Sequence, residues 1–195
     1  MGVIKTALEI ALERTENVKS DKSSIDQFEA KRQGKKLANA FLAGDANLTE
    51  AVKKTPESER ESLKQGIYDV LITQIGLPAD EGDEIKLERT GKGFSLIKEN
   101  RKNEISSMFK QLTQVFSQYK EEAAHYEQMI RQQYAPKLRK KEEEVSRKLG
   151  REVRIDPMQD PEFIAFYNQH MSALKTNYES VVEQFKEEIK KIFTS

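Results

Sequence analysis

The sequence predicts a mainly α-helical protein, with a helical head over residues 1–97 and a long antiparallel two-helix coiled-coil hairpin over residues 98–195. Three observations carry this expectation. From Lys98 to Gly150, Ile105, Phe109, Leu112, Phe116, Tyr119 and Tyr134 mark an apolar stripe whose steps are mostly three and four, one face of a helix. After Gly150, the positions Phe163, Tyr167, Leu174, Tyr178, Val182, Phe185 and Ile189 form a second, heptad-like stripe. The composition, 34% charged and 36% hydrophobic with 9 Gly and no Trp in 195 residues, is that of long helices with a solvated face.

At the start, Val3, Ile4, Leu8, Leu12 and Val18 predict an amphipathic helix over 3–19. Its first residues fit the loose N-myristoylation pattern at Gly2. Its small apolar face and mixed charges speak against membrane-surface binding and for packing on other helices. A polar gap, Ser20-Asp21-Lys22-Ser23-Ser24, then precedes a second helix over 25–43 carrying Ile25, Phe28, Leu37 and Phe41. Its basic middle, Lys31-Arg32-Gln33-Gly34-Lys35-Lys36, reads as a solvated helix face, weakened locally by Gly34.

Gly44 and Asp45 punctuate, and 46–54 allows at most two helical turns. Thr55-Pro56-Glu57 is a cap-plus-proline start for a helix to Ile75, with Leu63, Ile67 and Leu71 on one face. Gly76-Leu77-Pro78 stops it. The acidic loop 79–84 lacks the alternate-residue spacing of a calcium loop and is expected to be solvated. Residues 84–89 then alternate apolar and polar, and Thr90-Gly91-Lys92-Gly93 is turn-rich. Phe94-Ser95-Leu96-Ile97 resumes apolar, so a small β-hairpin is predicted over 84–97. The same Gly-Lys-Gly stretch lacks the Ser or Thr and the flanking glycines of a phosphate-binding loop.

In the C-terminal half, Pro136 predicts a kink or a one-turn break near 132–135. Gly150 closes the first helix. Asp160-Pro161-Glu162 opens the second, with a capping acceptor, a proline in the first turn and an acid facing the helix dipole. A turn centred near Ile155 pairs residues whose numbers add to about 310, by equal helical rise. The second helix then reaches back only to Val115, leaving 98–114 for the head to cover. In that register His125 and His170 stand roughly 20 Å apart along the axis. A shared metal or acid–base site is not expected, and His170 is placed on the seam.

Charge and residue types bound the function. The 33 basic and 33 acidic residues cancel, which argues against a general nucleic-acid binder. The absence of Cys excludes disulfides, thiolate zinc sites and cysteine nucleophiles. No apolar run approaches a membrane span and no basic-then-apolar leader opens the chain, so a cytoplasmic protein is expected. No cofactor or metal is expected. The most basic stretch is the hairpin tip, eight cations against four acids over 137–154: Lys137, Arg139, Lys140, Lys141, Arg147, Lys148, Arg151 and Arg154.

The expected function is therefore non-catalytic. The chain reads as a structural or adaptor protein that engages a protein partner, or itself, through the coiled-coil arm. The alternative is an RNA- or ribosome-associated factor using the basic tip. An enzyme would need a polar pocket between head and arm.

Overall fold

A computed structural model describes residues 7–194 apart from Glu81, with side chains described from Ser23 onward. The expectations for Gly2 and for the side chains of the first helix fall outside these residues. The helices are α1 (Ala7–Ala43), α2 (Leu48–Lys54), α3 (Glu57–Leu71), α4 (Asp83–Ile97), α5 (Lys102–Leu149) and α6 (Pro161–Thr194). Short 3-10 turns at Ile72–Gln74, Glu99–Arg101 and Pro157–Gln159 join them. The protein is mainly α, and no strand occurs among the described residues.

By contacts the chain forms two units, one of residues up to Ile75 with Glu84–Phe109, the other of Gly76–Asp83 with the chain from Lys110. The sequence reading drew its line at Ile97/Lys98, whereas the contact boundary falls inside α5.

In the first unit, α1 is one helix across the polar gap at 20–24, where two helices were expected. Ser, Asp and Lys cost a helix only tenths of a kcal/mol each, and neither Gly nor Pro interrupts them. Gly44, at φ 98°, ends it. Asn47 caps α2 through its side chain, which accepts from the Glu50 N–H at 3.3 Å. Thr55, expected to cap α3, instead turns its hydroxyl back to the Ala51 carbonyl at 2.9 Å.

Helices α1 and α3 run in opposite directions at near-contact of their backbones. A Cβ on Gly34 would lie 2.1 Å from the Leu63 carbonyl oxygen, and one on Gly66 would lie 2.0 Å from that of Lys31. Lys31 and Lys35 reach Asp69 at 3.0 and 3.5 Å across the same crossing. Gly34, read from sequence as a weak point, is thus where the helices touch. The core of this unit is built from Leu48, Leu63, Ile67, Leu71, Phe94 and Ile97.

The β-hairpin expected over 84–97 is not formed: the segment is α4. Leu87, Thr90, Gly91, Phe94 and Ile97 are buried, a spacing of three and four, while Ile85, which alternation would bury beside Leu87, is 59% exposed. Phe94 packs edge-on to Tyr68 at 5.7 Å and against Phe109 at 5.8 Å between ring centroids. The glycines that suggested a turn serve close packing instead. A Cβ on Gly91 would lie 2.8 Å from the Phe109 ring, and one on Gly93 would lie 2.8 Å from a Leu71 methyl. Two helical glycines cost about 2 kcal/mol in propensity, which the packing they permit offsets. Gly91→Ala is expected to destabilise by about 1 kcal/mol in a urea melt, because the ring can yield where a backbone could not.

In the second unit, α5 from Lys110 and α6 lie antiparallel. Tyr119 meets Tyr178 at 5.1 Å and Tyr134 meets Phe163 at 5.2 Å between ring centroids. Leu112, Phe116, Ile130 and Tyr134 on α5, with Phe163, Leu174, Val182 and Phe185 on α6, are buried. Both ring pairs fix level residues at numbers adding to 297, so the expected register near 310 is corrected. The physical reason lies in the connection. Gly150, at φ 67°, ends α5, and the chain then runs back beside the helix it has just left. The Val153 N–H donates to Ser146 Oγ and the Ile155 N–H to Glu142 Oε1, both at 2.9 Å. Helix α6 therefore begins level with Pro136, near the start of α5's last third. The break allowed for at Pro136 is absent, since α5 continues through it.

Candidate docking site at the turn between α5 and α6

The site is built on the first residue before α6. Asp160 caps that helix, accepting from the Glu162 N–H at 3.1 Å. Its buried carboxylate also accepts from the Tyr134 hydroxyl at 3.0 Å and from Lys141 Nζ at 2.9 and 2.8 Å. Lys141 reaches Glu162 at 2.9 Å and Lys137 reaches it at 2.8 Å. Tyr134, Lys137 and Lys141 occupy successive turns of one face of α5 around Pro136. The cluster pins the proline-containing turn to the start of α6.

The electrostatics follow from these bonds. Lys141 and then Tyr134 hold the Asp160 carboxyl below the usual range, against the effect of its burial. Burial, then the bond to Asp160, raises the Tyr134 phenol, and Asp160 with Glu162 raises Lys141 well above an ordinary lysine. Lys137 and Lys141 lower Glu162.

The sign of the pH dependence follows for each group. A lowered carboxyl stabilises fully above about pH 4 and loses this as pH falls through its folded value. A raised phenol or ammonium stabilises below about pH 10 and loses this as pH rises. Asp160→Asn is therefore expected to flatten the acid limb of a stability–pH profile, measured by urea melts between pH 2.5 and 6, while leaving the slope near neutrality unchanged.

Of the eight tip cations expected to bind a partner, Lys137 and Lys141 are thus engaged within the clamp. Arg154 lies 3.6 Å from Glu152 with both side chains largely exposed. Arg139, Lys140, Arg147, Lys148 and Arg151 are exposed, with no ion pair to the described residues. An open groove beside the turn sets Arg139 and Arg154 against Glu142, Glu143 and Glu152. That balance does not make an anion pocket. Two large apolar side chains flank the turn in the open, Leu149 at 57% and Met158 at 48% exposure. The three-and-four spacing of the sequence sets Leu149 on the apolar stripe of α5, where burial is expected, and gives Met158 no role.

The remaining candidates resolve plainly. His125 and His170 are both exposed, and the register of 297 sets them about two residues apart in level, roughly 3 Å, in place of 20 Å. His170 is off the seam, packed on Phe166 at 4.3 Å between ring centroids. Tyr126, whose spacing from Tyr119 and Tyr134 fits the apolar stripe of α5, is 39% exposed. No cluster of metal-ligating side chains occurs among the described residues, and no helix among them is long and apolar enough to cross a membrane. The Asp160 clamp had no local signal, because its partners lie 19 and 26 residues away.

The chain belongs to a family described as a family of unknown function, DUF6657, whose model matches residues 49–191. No curated protein and no solved structure matches it.

Proposed function

We propose that this member of DUF6657 is a non-catalytic structural or adaptor protein that engages a protein partner through the α5/α6 arm, acting in the cytoplasm. The observation that carries this reading is the exposure of Leu149 and Met158 at the turn, among five cations with no internal ion pair. Apolar side chains ringed by charges form the kind of surface that proteins bury against one another. The reactive chemistry of the turn is spent internally: Asp160, Lys141 and Tyr134 saturate each other.

The five free cations favour a second reading, an RNA contact. Exposed acids beside them, Glu143 and Glu144, work against it. The two readings separate on salt. Five phosphate contacts to a single strand would lower affinity about 100-fold between 50 and 200 mM salt, whereas a partly apolar protein interface would change far less. The test is a photo-crosslinking residue at Leu149 of the full chain. A discrete, nuclease-resistant protein adduct at 200 mM salt is expected. Adducts to RNA alone would sink the adaptor reading. Lys141 is unsuited to charge reversal here, since its loss would unseat the clamp; Arg139→Glu with Lys140→Glu is the cleaner probe.

A further inference from the structure

We propose that two copies of this chain join tip to tip, the residues 152–154 of each pairing as short antiparallel strands. This rests on the reading of the turn as the docking end and names its partner as a second copy. The segment is extended, and the geometry shows it. Its Val153 and Ile155 N–H groups bond side chains one helical turn apart on α5, about 6 Å, which is the span of two residues of strand.

In an extended chain the groups of alternate residues face opposite ways. With Val153 and Ile155 turned to α5, the N–H and C=O of Glu152 and Arg154 face outward, and neither bonds anything among the described residues. The 3.6 Å approach of Arg154 to Glu152 puts those two side chains on one face, as strand alternation requires.

That open edge is self-complementary. Antiparallel pairing about a twofold through Val153 sets Glu152 opposite the partner's Arg154, and Arg154 opposite the partner's Glu152. These are the two positions whose outward groups exchange both hydrogen bonds, giving four in all. The Val153 pair between them is the one that needs none. Each cross-strand pair joins opposite charges. The internal Arg154–Glu152 contact is exposed on both sides, so exchanging it for the cross-strand pair costs little.

The interface is small, so self-association on the order of 100 μM is expected. Sedimentation equilibrium of the full chain from about 10 μM to 1 mM tests it. Glu152→Arg alone and Arg154→Glu alone each oppose like charges and should weaken association at least tenfold. The double exchange should restore it to within threefold. Arg154→Pro, which removes an outward N–H, should abolish it, and circular dichroism should show each variant as helical as the parent. A chain monomeric to 1 mM, or a double exchange that fails to restore association, overturns the proposal. If that chain still gives a Leu149 adduct with a different protein, the adaptor reading stands while this one falls.

Discussion

Gly34→Ala is expected to destabilise the protein by about 3 kcal/mol or more, although alanine is the better helix former by about 1 kcal/mol. The two effects have opposite signs, so the experiment decides between them. A Cβ at residue 34 would stand 2.1 Å from the Leu63 carbonyl oxygen, and the atom it meets is backbone. A side chain can swing aside; a helical carbonyl moves only if α1 and α3 separate. Separation would loosen Leu63 and Ile67, both wholly buried, and stretch the bonds of Lys31 and Lys35 to Asp69. Gly66→Ala should cost as much, its Cβ meeting the Lys31 carbonyl at 2.0 Å. The pair should be less than additive, because one outward shift relieves both clashes. Gly76→Ala, with nothing within 4 Å, is the neutral control. A melt in which Gly34→Ala matches or exceeds the parent would mean that the two helices do not cross there.

The second large effect is expected at Asp160. Asp160→Ala removes the cap of α6, worth about 1 kcal/mol, and leaves the Tyr134 hydroxyl without its acceptor, another 1 kcal/mol or so. A loss of about 2 kcal/mol in a urea melt is expected, with Tyr134→Phe costing about half as much. The readout specific to the clamp is local. Hydrogen exchange should accelerate in the α5 turn around Pro136 and in the first turn of α6, and leave α1 and α3 unchanged. Equal acceleration throughout would show that Asp160 supports the whole chain and not this joint.

Much of the fold was legible in the sequence because periodicity reports burial directly. The stripes from Ile105 to Tyr134 and from Phe163 to Ile189 are the buried stripes of α5 and α6. Asp160-Pro161 opens α6 where the capping chemistry indicates. The errors share one cause. Gly91 and Gly93 looked like a turn, and Gly34 like a flaw, because glycine's local meaning is flexibility. Its tertiary meaning, the absence of a Cβ where another helix presses, is written in residues far along the chain. The register failed similarly: a symmetric turn was assumed, and the bonds of Val153 and Ile155 to Ser146 and Glu142 fold the connection back along α5.

At the candidate docking site the sequence named the cations but not their fates. Lys137 and Lys141 differ from Arg139 and Lys140 in which face of α5 they occupy, and so in whether an acid of α6 stands opposite. Leu149 and Met158 were invisible as exposed residues, since an apolar letter near a helix end reads equally well as buried.

The amino-acid sequence by itself determined the helices, their apolar faces and the cap of the last one. Those depend on neighbours within a turn or two, where side-chain spacing and backbone preference act directly. Tertiary structure decided which helices touch backbone to backbone, how far α6 slides along α5, and which charges at the turn remain free. The connection depends on bonds between residues seven and thirteen apart, and the helix crossing and the turn charges on contacts nineteen or more apart; only the folded chain brings such residues together.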